Sequence, residues 1–94
     1  MADVVVDGWW VECKHHKDPD PVQALEQAQL AADAAGLAHK VRCVAVCKAN
    51  RFPPTATFWH HIHGVHCRVT IDFVDWLEIV RIENVRRKHH QEKA

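Results

Sequence analysis

The stretch that most constrains the fold is the run Asp-Val-Val-Val-Asp-Gly-Trp-Trp-Val-Glu-Cys-Lys at residues 3–14. An Asp-Gly pair flanked by β-formers predicts a two-residue hairpin, because a type I′ turn needs positive φ at both central residues. With Asp7-Gly8 at the turn, Val6 pairs with Trp9, Val5 with Trp10, Val4 with Val11 and Asp3 with Glu12. Cross-strand partners share a face of the sheet, and so do alternate residues along one strand. Asp3, Glu12 and Lys14 are therefore expected on one side. Two carboxylates facing each other across a ladder repel. A hard divalent cation, which prefers oxygen ligands, relieves that repulsion. A lysine two residues along can steady an attacking water or a developing phosphoryl charge, which completes a minimal set for phosphodiester hydrolysis. A Glu-x-Lys triplet alone usually marks a solvated strand edge; the facing Asp3 is what separates this one from the common case.

The order of the following segments predicts an α/β chain. Asp-Pro-Asp-Pro at residues 18–21 ends a polar loop, Asp20 caps a helix, Pro21 takes its first position and Gln23 completes a capping box. Val22, Leu25, Ala28, Ala32 and Ala35 recur at helical spacing up to a stop at Gly36. The mostly apolar run 41–47 reads as an interior strand. Residues 55–59 and 65–70 are two more strands, joined by a His-rich tip with Gly64. Thr70 or Asp72 is expected to cap a last helix that turns Phe73, Val74, Trp76, Leu77, Ile79 and Val80 inward. From Arg86 the charged tail is expected to fray. With 94 residues, the chain has room for a single domain with a modest core.

These residues resemble the core of the PD-(D/E)XK nucleases, and most closely the small Holliday-junction-resolvase-like nucleases of phages and bacteria. In that family an acidic residue ends one strand, a turn and an apolar strand follow, and Glu-x-Lys closes the motif. Next comes a helix that often carries a Gln, here Gln23 and Gln27, and then a buried strand. The segment Lys48-Ala49-Asn50-Arg51-Phe52-Pro53 and the run Val69-Thr70-Ile71-Asp72-Phe73 also look like the later parts of such proteins, so the resemblance covers most of the chain. It implies a restriction-endonuclease-like mixed sheet with a β-hairpin, a central helix and a C-terminal helix. It further implies that Asp3 and Glu12 hold Mg²⁺ or Mn²⁺, with Cys13 between the motif residues among the metal-contacting positions. Lys14 is then the catalytic lysine and Gln27 a neighbour of the site. The expected substrate is duplex or branched DNA, in the cytoplasm of a bacterium or a phage-infected host. Two departures stand out. Ala2 replaces the proline that names the motif, and no N-terminal helix or first strand precedes Asp3. The chain is then a minimal version, a fragment, or one that completes its sheet as a homodimer, with Trp9, Trp10, Phe58, Trp59, Phe73 and Trp76 as residues that would cover the interface; ordinary core is the simpler reading of the tryptophans, above all of Trp76.

Charge and cysteine usage bear on the same question. Twelve Lys and Arg balance twelve Asp and Glu, which argues against a generally basic protein but leaves room for a local basic face. Lys14, His15, His16 and Lys17 form one such patch, and Lys48 with Arg51 another; groups of this kind neutralise phosphates without reading sequence. The Arg86-Arg87-Lys88 run reads as a solubilising helix end or an extra DNA contact. Cys13, Cys43, Cys47 and Cys67 form no CxxC pair. With neither a signal peptide nor a membrane-length apolar run, they read as free thiols of a reduced, cytosolic protein. His60, His61, His63, His66 and Cys67 crowd into eight residues. Their spacing matches no standard zinc finger, so a polar hairpin tip beside DNA is the expected reading. A nuclease with imidazole as base ranks below the carboxylate site, for want of a recognisable second element. The competing functional class is a non-catalytic nucleic-acid-binding or zinc-stabilised interaction module. A third is a dimeric structural protein whose site has decayed.

Overall fold

The computed structural model describes residues 4–93. The chain order is β1 (Val4–Val6), β2 (Trp9–His15), α1 (Pro21–Ala34), β3 (Arg42–Lys48), β4 (Thr55–Ile62), β5 (Val65–Asp72) and α2 (Phe73–Lys93). Among the described residues the strands make one five-stranded mixed sheet in the order β1-β2-β3-β4-β5. Only β2 and β3 are parallel, and α1 is the crossover between them. This is the α/β arrangement expected from the order of the segments.

The hairpin has the expected register. Val6 pairs with Trp9, Val5 with Trp10 and Val4 with Val11. Asp7 and Gly8 both take positive φ, 46° and 84°, as a type I′ turn requires. Asp3 lies outside the described residues. The β4–β5 hairpin repeats the device with His63 and Gly64, at φ 49° and 80°.

Helix α1 begins where Asp20 accepts hydrogen bonds from the Val22 and Gln23 amides, at 3.0 and 3.2 Å. This satisfies two of the amide groups that a helix start leaves without partners. It ends in a Schellman motif, with Leu37 N–H donating to Ala32 O at 2.9 Å and Gly36 N–H to Asp33 O at 3.0 Å. Gly36, at φ 75°, supplies the left-handed residue that the motif needs.

Alternation along the strands sends side chains to two separate cores. On one face α1 lays Ala24, Leu25, Ala28 and Ala32 against Trp10, Cys43, Ala45 and Cys47. Three alanines in this set let the helix backbone approach the sheet closely. On the other face Trp76 and Val80 of α2 join Trp9, Val11, Val44, Val46, Ala56 and Phe58, with Phe73 and Ile79 packed alongside. The Trp9 ring meets Phe58 and Trp76 edge-on, with centroids 5.4 and 5.5 Å away, a favoured aromatic geometry.

Several expectations need correction. The aromatic residues assigned to a subunit interface belong to the chain's own packing. Trp9, Trp10, Phe58 and Trp76 are buried, and Trp59 and Phe73 are half-buried. Of the two expected caps, Asp72 directly precedes the last helix and Thr70 does not, and the helix follows a strand instead of a loop. Strand β5 continues through Asp72, with Thr70 opposite Thr57 and their hydroxyls hydrogen-bonded at 2.8 Å. The α2 helix then starts at once, tied by Phe73 N–H to Pro54 O at 3.0 Å, and it runs through the charged segment to Lys93. Val74 and Leu77 face outward instead of inward, because the sheet touches only the side of α2 that carries Trp76 and Val80. Among the described residues no helix is long and apolar enough to cross a membrane.

Candidate functional site

Glu12 and Lys14 are on the α1 side of the sheet, near the C-terminal end of β2. Their register partners in β3 are Ala45 and Cys47, which pack under α1. Open α/β sheets place ligands outside the carboxyl ends of their parallel strands, and Lys14 stands at that end of β2. The loop after β2 leads directly into the first turn of α1. As a result, Lys14, His16, Asp20, Gln23, Ala24 and Gln27 line one small depression of about 110 Å³. Gln23 and Gln27 are four residues apart on the helix and both exposed, so both amides border the lysine.

Glu12 is set deeper. It is 4 % exposed, with Oε1 enclosed by protein. Burying a carboxylate is costly unless charge or hydrogen bonds answer it, and Glu12 occupies a position where an apolar side chain would pack more easily. Its field reaches the neighbouring core. Burial, then Asp33, then Glu12 push the Cys43 thiol above its ordinary range. Cys47 is raised as well, by burial, then by Asp20 and Cys13, against a lowering from Lys14. These thiols are held protonated, which makes them packing groups and not nucleophiles.

The structure brings Lys14, His16 and Gln27 together, and it puts Glu12 on their face. Cys13 alternates to the opposite face, opposite Val46, and is exposed there. Its thiol is turned away from the Glu12–Lys14 side, so only its backbone stays with the motif. His15 comes alongside Lys48, because β2 and β3 run parallel in that register, and His16 N–H donates to Lys48 O at 3.3 Å. The two basic patches of the sequence thus adjoin. Lys48, however, points its ammonium into the following turn, where it donates to the carbonyls of Ala49 and Phe52; it shapes the loop. Lys17 and Arg51 are exposed, Arg51 in a left-handed conformation with φ 69°.

The residues present suit a hard cation in part. Mg²⁺ keeps several of its waters and needs only one or two protein carboxylates. Glu12 supplies one. Among the described residues no group of three or more His, Cys, Asp or Glu is arranged to hold a metal ion. The His-rich hairpin illustrates why. His61 pairs with His66 on one face and His60 with Cys67 on the other, while His63 occupies the turn.

Sequence reasoning missed a polar clip at the opposite end of the sheet. Arg42 lies over the Trp9 ring, 4.2 Å from its centroid. It pairs with Glu83 at 3.2 Å and donates to Trp59 O at 3.2 Å. Glu83 also accepts from the Trp9 indole N–H at 3.1 Å. The partners are far apart in sequence, so no local pattern announces them. Comparison with family models, curated proteins and solved structures finds no match.

Proposed function

We propose that this chain is a metal-dependent nuclease built on a restriction-endonuclease-like core and acting on DNA. The observation that carries this reading is the shared face of Glu12 and Lys14 at the C-terminal end of β2, with Gln27 of the crossover helix beside the lysine. The β-hairpin, helix and parallel-strand order is compatible with the PD-(D/E)XK core which the sequence resembles. Glu12 and Asp3 would hold Mg²⁺ or Mn²⁺, which when bound polarises a phosphate and lowers the pKa of a water. Lys14 then places its ammonium against the attacking water or the phosphoryl oxygens, where negative charge develops. Gln27 orients the water or a phosphate oxygen through its amide. His15, His16 and Lys17 neutralise flanking phosphates. The proposed setting is the cytoplasm of a bacterium or of a phage-infected host.

A homodimer is part of this proposal, but through α2 and not through the buried tryptophans. Val74, Leu77, Ile82 and Val85 form an exposed apolar stripe. Its sequence reads symmetrically about the point between Ile79 and Val80. In an antiparallel pair of copies, Val74 therefore meets Val85, Leu77 meets Ile82 and Glu78 meets Arg81. Such self-complementarity is what a two-fold interface needs.

The decisive experiment is cleavage of labelled four-way junction, flap, duplex and single-stranded DNA in Mg²⁺, Mn²⁺ or EDTA. Wild type should cut only with metal, and Lys14→Ala and Glu12→Ala should lose at least about a hundredfold in rate while retaining the wild-type circular dichroism spectrum. Binding without cutting under every metal, with Lys14→Ala indistinguishable from wild type, would instead establish the non-catalytic nucleic-acid-binding module.

A further inference from the structure

Helix α1 covers β2 and β3 but reaches only part of β4, which leaves the sheet open toward the β4–β5 hairpin. The open area is on the same face as Lys14. Following the register outward, Trp10 and Cys43 lead to Trp59 and His61 of β4, and these to Arg68 and His66 of β5. Their rings form a continuous ladder. Trp59 and His66 are 4.8 Å apart between centroids, tilted by 38°, and His66 and His61 are stacked at 5.8 Å. The Arg68 guanidinium lies 5.8 Å from the Trp59 ring. His61, His66 and Arg68 are exposed, and Trp59 is half-buried.

Beside this ladder is a cleft of about 390 Å³ between the second half of α1 and the sheet. Trp59 and His66 wall one side, Gln29 and Asp33 of α1 the other, and Val41 and Cys43 line the space between. Aromatic and apolar surface with a few polar groups on the rim is the usual make-up of a small-molecule site. The flat aromatic wall suits a planar ring. Asp33 offers only acceptors, so it favours a ring edge that carries N–H donors, while Arg42, which also lines the cleft, is engaged by Glu83 and by Trp59 O. Phosphate finds Arg68 and the two histidines outside the cleft.

We propose that this cleft and ladder bind an unpaired nucleobase of a single-stranded nucleic acid. The base stacks against the Trp59–His66 wall, its amino edge is read by Asp33 and Gln29, and its backbone runs over Arg68 and His61. Single strands are recognised in this way, by stacking on aromatic side chains beside positive charge. The choice of nucleic acid as ligand rests on the nuclease reading of the Lys14 face. Trp59 stands four residues and two strands from the position of Lys14, about 16 Å across the sheet. A strand bound at both places would therefore bring an unpaired region next to the proposed scissile site, as at the branch of a flap or junction.

The test reads binding in EDTA, so that cutting plays no part. Fluorescence anisotropy follows labelled oligo(dC), oligo(dA), oligo(dT) and a duplex of equal length. Wild type should bind the dC and dA strands more tightly than dT, which has no amino group, and more tightly than duplex. His66→Ala, an exposed change that leaves the core intact, should weaken single-strand binding several-fold. Trp59→Ala should weaken it about tenfold or more, and Asp33→Ala should remove the preference over dT. Lys14→Ala should leave base preference unchanged, so a loss of cutting alone tests the catalytic reading and not this one. Equal affinity for all three strands, duplex bound as well as single strand, or no effect of His66→Ala and Trp59→Ala together would overturn the proposal.

Discussion

Removing the Glu83 side chain tests how the two ends of the chain are held together. Glu83 accepts from the Trp9 indole N–H at 3.1 Å and pairs with Arg42 at 3.2 Å. Trp9 is 1 % exposed, so in the intact domain its N–H relies on that acceptor and not on water. A buried donor left without a partner costs about 1–3 kcal/mol. The ion pair is worth less. The side chains of Arg42 and Glu83 are 42 % and 36 % exposed, so water screens the pair and holds it to about 0–1 kcal/mol. Glu83→Ala should therefore destabilise the domain by about 1–4 kcal/mol. Glu83→Gln keeps a carbonyl oxygen for the indole and loses only the charge, at a cost of about 1 kcal/mol or less. For a domain of this size each kcal/mol moves Tm by about 4–8 °C, so the alanine variant should melt about 4–30 °C below wild type. Thermal melts followed by far-UV circular dichroism measure both. Equal losses for the two variants would show that the charge, and not the buried indole, sets the stability. A neutral Glu83→Ala would refute the clip altogether.

Ala28 is fully enclosed between α1 and the sheet, so Ala28→Leu should overpack that layer and cost about 1–3 kcal/mol, read as a lower urea midpoint with unchanged m-value. Cys43 and Cys47 are raised above the ordinary thiol value, first by burial. The unfolded chain therefore loses these protons at a lower pH than the folded one. Stability from this source is complete below the ordinary thiol pKa, about 8.5, and is lost as pH rises through it toward the folded values; denaturant titrations between neutral and strongly alkaline pH should show the decline, and Cys43→Ala should lessen it. For the proposed dimer, Glu78→Arg or Arg81→Glu alone should shift sedimentation toward monomer, and the double exchange should restore the dimer. Monomeric wild type at high concentration would refute that interface.

Local chemistry determined much of this protein in advance of any tertiary contact. Asp7-Gly8 set the turn, and the turn set the pairing of Val4, Val5 and Val6, because a two-residue loop leaves the ladder one register. Asp20 and Pro21 started α1, and Gly36 ended it, because each answers a backbone requirement within a few residues. The period of two along β2 was enough to put Glu12 and Lys14 on one face. Other features depended on what lay across the sheet. Which side of α2 is buried followed from where the sheet meets it, so Val74 and Leu77 turned outward although their spacing matched that of the buried residues. The tryptophans became core because two helices covered the two faces. Lys48 was drawn into its own turn by nearby carbonyls. The meeting of Lys14 with Gln27 and the Arg42–Glu83–Trp9 clip both join residues from separate elements. Their partners are chosen by the docking of α1 and α2, whose packing energies are summed over whole surfaces and leave no short-range mark in the sequence.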